Sequence, residues 1–145
     1  MPAPKPPGNN LGFLLADTTR LMRRRFQECD SKSDLTYAQA RALVHIARFE
    51  GRRQVELAED LEVQPMTLAR LIDQLQAQSL VERRPDPQDR RAHRLYVTAA
   101  AEEPLKEIRQ LGMQVYDRML AGLDEAQQDA LIAALELMRS NLIND

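Results

Sequence analysis

Hydrophobic residues recur at helical spacing along most of this sequence, and the spacing drops to two in one region. Leu80-Val81-Glu82-Arg83-Arg84 and Arg94-Leu95-Tyr96-Val97-Thr98 alternate apolar and polar residues, as half-buried strands do. Between them, Pro85-Asp86-Pro87-Gln88-Asp89-Arg90-Arg91-Ala92-His93 reads as a turn-rich, basic loop. Two short strands joined by such a loop make a hairpin that projects from a small helical domain, a wing. The expected fold class is therefore mostly α with a small β-hairpin. Composition agrees, because 43% hydrophobic residues can fill a core while only 4% aromatic residues and 29% charged ones favour helix over sheet.

Around the wing, the helical periods can be placed one by one. Residues 1–10 hold four prolines and a glycine and read as a flexible arm. Leu11, Leu14, Leu15, Thr18, Leu21, Met22 and Phe26 then line one face of a helix that ends near Cys29, and the polar stretch Asp30 to Asp34 breaks it. Thr36 caps a second helix reaching Phe49, with Ala40, Leu43, Val44 and Ala47 on one face and Gly51 as its stop. A short helix over Val55 to Leu61 precedes one that starts at Pro65 and runs to about Gln78. Thr98 caps a long helix to about Leu123, in which Pro104 predicts a local bend. Asp124 caps the last helix, whose Leu131, Leu135, Met138 and Leu142 form a stripe.

Gln54 to Asp73 has the internal spacing of a helix-turn-helix. Leu57 and Ala58 sit on its first helix, Leu61 and Val63 about the turn, and Leu68 and Leu71 on the second. Ala58 has to be small where two helices cross steeply. Glu62 occupies the turn position usually given to glycine, which predicts a turn more relaxed than the left-handed one. The second helix of such a pair is held out to enter a major groove, and Gln64, Met66, Thr67, Arg70 and Gln74 would be its exposed readers. Arg and Gln can make paired hydrogen bonds to guanine and adenine edges, and Arg70 is the strongest base reader by this reasoning. Asp73 is expected to orient an arginine. In the wing, Arg90 and Arg91 are placed at the tip, where an arginine can enter a narrow minor groove, with Asp89 holding the Arg91 guanidinium.

Net charge is −2, yet residues 64–97 carry six basic against four acidic side chains and residues 98–145 four against nine. The middle of the chain can face phosphate while the acidic C-terminal segment is kept away from it. Cys29 alone gives no intrachain disulfide framework and fits a reducing, cytoplasmic setting. Without a long apolar run, no membrane association is expected. One cysteine with two histidines makes no zinc site, and no glycine-rich phosphate loop or paired nucleophile and base stands out. No metal, no cofactor and no enzymatic activity are therefore expected.

At Thr67-Leu68-Ala69-Arg70-Leu71-Ile72-Asp73-Gln74-Leu75, Leu80-Val81-Glu82-Arg83 and Asp89-Arg90-Arg91-Ala92-His93-Arg94-Leu95-Tyr96-Val97-Thr98, the sequence resembles the MarR family of bacterial regulators. Leu11-Gly12, Ala16 and Arg20 are similar to the start of its SlyA-like members. It departs from the family pattern at Ser79, where glycine is common, and at Gln76, where glutamate is common. The resemblance implies a homodimeric repressor on a palindromic site in double-stranded DNA. Its dimerisation region would consist of intertwined helices over residues 11–34 and 99–145, and its winged helix-turn-helix would span 35–98. The bare terminal stripes favour the same dimer. The resemblance also implies release by a small phenolic or aromatic carboxylate, for which Arg20 and His45 are the available partners. Cys29 lies at the wrong end of the first helix for the oxidant sensing of some relatives, and is read as a packing residue. A winged helix that bends DNA with little sequence preference, or that binds protein, is the other function these residues allow.

Overall fold

The computed structural model describes residues 9–29 and 32–144. The elements run α1 (Asn9–Glu28), α2 (Tyr37–Arg48), α3 (Gln54–Asp60), α4 (Pro65–Ala77), β1 (Val81–Asp86), β2 (Asp89–Val97), a 3-10 turn (Ala99–Ala101), α5 (Glu102–Met119) and α6 (Glu125–Ile143). This is the mostly helical chain with one small antiparallel hairpin that the periodicity predicts. The proline-rich arm falls outside the described residues, except for Asn9 and Asn10, which open α1.

One aliphatic cluster joins α2, α3, α4 and the root of the hairpin. Leu43, Ile46, Leu57, Leu68, Ile72, Leu75, Val81 and Leu95 are its largest fully buried members, and Ala58 is buried at the crossing of α3 with α4. Val63 and Leu71 pack on its edge. On α2 the buried face is Gln39, Ala42, Leu43 and Ile46, turned from the expected one so that Ala40, Val44 and Ala47 are half-buried. The cause lies in the cap. Thr36 Oγ1 accepts from the Gln39 N–H and Gln39 Oε1 accepts from the Thr36 N–H, which fixes Gln39 inward, where its Nε2 donates to Gln74 Oε1 at 2.8 Å.

The ends of α3 and α4 are alike. Glu62 and Ser79 have φ of 53° and 61°, and in each case the next amide reaches back five residues, Val63 to the Ala58 carbonyl and Leu80 to the Leu75 carbonyl. These are left-handed caps of the kind glycine normally fills. The relaxed turn expected at Glu62 does not occur, because the core on both sides of the turn dictates its path. Gly51, at φ 83°, ends the α2 corner as expected, and a Cβ there would meet the Tyr96 hydroxyl at 3.1 Å.

The hairpin is longer than its alternating segments suggested. Pairing continues through Pro85↔His93, and the turn is confined to Pro87 and Gln88. The register then jumps to Asp86↔Asp89, so Arg90, Arg91 and Ala92 have no opposite partners and form a bulge on β2. Asp86, its side chain wholly buried, anchors this region. It accepts from the Gln88 N–H at 2.9 Å and from Arg53 Nε, at the N-cap of α3, at 2.8 Å. Arg94 Nε lies 3.4 Å away, close enough for charge attraction but not aligned as a hydrogen bond, while its Nη1 donates to the Gly51 carbonyl at 2.8 Å. The Gln88 amide and then Arg53 hold the Asp86 carboxyl below its ordinary value, against a smaller opposing effect of burial.

Two further expectations change. Thr98 Oγ1 donates to the Ser79 carbonyl instead of capping a helix, and a 3-10 turn follows it. α5 therefore starts only at Glu102, which puts Pro104 in the first helical turn, where its missing N–H breaks no bond and the predicted bend loses its cause. Phe26 packs edge-on to Tyr116 with centroids 5.9 Å apart, joining α1 to α5 beside the small Gly112. α6 opens with a capping box between Asp124 and Gln127, and none of its residues is buried.

Replacing Glu62 or Ser79 with glycine relieves about 1–2 kcal/mol of left-handed strain at a smaller entropic cost. Each variant should melt higher, by about 0.5–1 kcal/mol of stability. Asp86→Asn should lower the melting temperature at neutral pH. The stability due to the depressed Asp86 carboxyl is present above its unfolded value of 3.8 and lost as pH falls through the lower folded value. Thermal melts across the acid range should therefore show the gap between the two proteins closing only in that lower window.

Candidate nucleic-acid interface

Pro65 opens α4 with a preset φ, and Gln64, Met66, Thr67 and Arg70 are all exposed on its first turns. Met66, at 80%, is the most exposed large apolar side chain among the described residues. Arg70 has no hydrogen bond or ion pair among the described residues, so its guanidinium is available to a ligand. Gln74 belongs to a different set. Its amide oxygen is held by Gln39, so it tethers α4 to α2.

Behind the exposed face, Arg83 on β1 gathers three elements. It donates to Gln54 Oε1 on α3 at 3.1 Å, and on α4 to the Ala69 carbonyl at 3.1 Å and to Gln76 Oε1 at 2.8 Å. Its Nη1 also lies 2.7 Å from Asp73, which is the arginine-orienting role expected of that carboxylate. A planar fork with five donors suits such a junction, and it fixes the wing's first strand to α4. Gln76, which departs from the family pattern, supplies one acceptor.

The wing presents its arginines through the bulge, not through the turn. Arg90 and Arg91 are exposed, and the Asp89 carboxylate accepts from the Arg91 backbone N–H at 3.0 Å. Asp89 thus fixes the bulge backbone where it was expected to hold the guanidinium. A cleft of about 290 Å³ separates wing from helices and is lined by Arg53, Gln54, Val55, Pro65, Asp89, Arg91, Ala92 and His93. The first turns of α3 and α4 and the bulge therefore border one concave surface. Arg53 and Asp86 went unnoticed in the sequence because nothing local marks a contact across 33 residues.

Arg20 and His45 are engaged elsewhere. Arg20 pairs with Asp17 at 2.8 Å one turn earlier on α1, and His45 Nδ1 lies 3.2 Å from the Arg41 carbonyl. Neither lines the cleft. Cys29 is partly buried. Among the described residues there is no group of three or more metal-ligating side chains, and no helix is long and apolar enough to cross a membrane.

Residues 35–93 match the model of the MarR family. The HTH-type transcriptional regulator YybA of Bacillus subtilis is 30% identical over 112 residues, 77% of this chain and 75% of that protein. The crystal structure of a mutant MarR from E. coli in complex with operator DNA aligns over 90% of this chain and 94% of its own, at 27% identity and a TM-score of 0.71. That of the transcriptional regulator SlyA aligns over 92% and 91%, at 26% identity and 0.65. Its winged helix-turn-helix and the likenesses that run through it show that the chain belongs to the MarR family of transcriptional regulators.

Proposed function

We propose that the protein represses transcription as a homodimer bound to a palindromic operator in double-stranded DNA. The observation that carries this reading is the shared edge formed by the unpartnered Arg70 on α4 and the bulged Arg90 and Arg91, braced by Arg83 and Asp86. α4 enters the major groove with Gln64, Met66, Thr67 and Arg70, and the bulge enters the neighbouring minor groove with Asp89 holding its backbone. The solved complex of a relative with operator DNA supports the same partner.

Residues 35–98 are the DNA-binding unit in this reading, and 11–34 with 99–145 form the dimer. Leu131, Ile132, Leu135, Leu137, Leu142 and Ile143 on α6, with Phe13 and Leu14 on α1, are exposed in the single protomer. Burying them against a second copy removes that apolar area from water. A twofold axis then sets the two α4 helices on half-sites about 34 Å apart, one turn of DNA. Release by a small phenolic or aromatic carboxylate would require Arg20 to give up Asp17, or His45 to turn from the Arg41 carbonyl.

Selection of bound duplexes from a random pool should return a palindromic motif, and recovery of the input distribution would contradict the proposal in favour of a DNA-bending or protein-binding role. Arg70→Ala should alter the preferred base at one position of each half-site, at about 1–3 kcal/mol of discrimination. Arg91→Ala should instead weaken binding to every duplex and flatten its salt dependence. Light scattering should give twice the 16.6 kDa chain mass, and Leu135→Glu should shift it toward the monomer. A wild-type monomer would refute the dimer.

A further inference from the structure

We infer that the cleft between the head of α4 and the wing is a seat for one DNA backbone phosphate, with Arg53 as its principal ligand. The inference rests on the groove assignment just proposed. If α4 occupies a major groove and the bulge the adjacent minor groove, the sugar-phosphate strand dividing the two grooves has to cross the surface between them. That surface is the cleft bordered by Arg53, Pro65, Arg91 and His93.

The charge there fits an anion. Two guanidinium groups, Arg53 and Arg94, share the single buried carboxylate of Asp86, which also takes the Gln88 amide, so these three side chains together keep one uncompensated positive charge. Arg53 uses only Nε on Asp86, and its side chain is 34% exposed, leaving the two Nη groups for a ligand. Asp86 therefore orients a planar donor before DNA arrives, and less side-chain freedom is lost on binding. Arg91 and His93, on β2, line the same cleft. Asp89, which also lines the cleft, and Glu56 keep their charges beside it, but each carboxylate is turned to a backbone amide, Asp89 to the Arg91 N–H and Glu56 to the Arg53 N–H, while Arg91 adds a further guanidinium. A phosphate contact carries no base information, so Arg53 should contribute affinity and register but not sequence preference.

The test is fluorescence anisotropy of the intact protein with a labelled mixed-sequence duplex across a salt series, for wild type, Arg53→Gln, Arg53→Lys and Arg91→Ala. Arg53→Gln should weaken binding several-fold and lower the slope of log K against log salt by about 1 per protomer. Arg53→Lys, which keeps the charge, should retain the slope. If Arg53→Gln and Arg53→Lys weaken binding equally at an unchanged slope, Arg53 only braces the wing and the inference is overturned. It is overturned too if Arg53→Gln binds like wild type while Arg91→Ala does not. If Arg91→Ala and Arg53→Gln both leave binding unchanged, the groove assignment itself has failed.

Discussion

The wing and the recognition helix share one aliphatic core, and the positions of all the candidate DNA contacts depend on it. Leu68, Ile72 and Leu75 on α4 are buried in the same cluster as Val81 and Leu95 on the two strands and Leu43 and Ile46 on α2. A core packed as densely as a crystal does not let one of these elements slide without the others. Loss of Leu68 or Leu95 by truncation would remove about 2–5 kcal/mol and, with it, the fixed relation between the two surfaces. Two polar junctions then trim that relation. Arg83 ties β1 to α3 and α4, and Asp86 ties the far end of the hairpin to the N-cap of α3.

This division of labour explains why one charged residue, Asp86, is buried in a small winged domain. Hydrophobic packing sets the elements close together but is not directional. A wholly buried carboxylate with one amide and two guanidinium partners is directional, and removing a partner would strand the rest of the set. Rigid presentation matters for a DNA reader, because contacts in two adjacent grooves are compatible only at one spacing. The terminal helices have no such demand within one protomer. α6, apolar on several sides and with no residue buried, depends on what covers it.

The sequence made the helical framework legible wherever one force acted alone. Leu57, Ala58, Leu68 and the start of α4 at Pro65 could be read from apolar spacing and from the geometry of proline. Competing demands hid the rest. Pro85, Pro87 and the aspartates between Pro85 and His93 suggest loop, yet cross-strand pairing carries the hairpin past Pro85, whose missing amide lies next to the register jump. Glu62 and Ser79 carry side chains unsuited to φ near 60°, and the core overrode that local preference at both. Gln74 fits the spacing of a base reader, but buried Gln39 claimed its amide. Arg53 and Asp86 could be paired only after the fold brought α3 to the hairpin.

Hydroxyl-radical footprinting of the protein on a duplex it selects tests the shared geometry of α4 and the wing most directly. The account predicts two half-sites, each with a protected backbone segment flanking the α4 major groove and continuing into the adjacent minor groove. The minor-groove part of that protection should disappear in Arg91→Ala while the rest persists. Protection confined to one groove, or minor-groove protection that survives Arg91→Ala, would contradict the claim that the bulge and α4 bind DNA as one rigid surface.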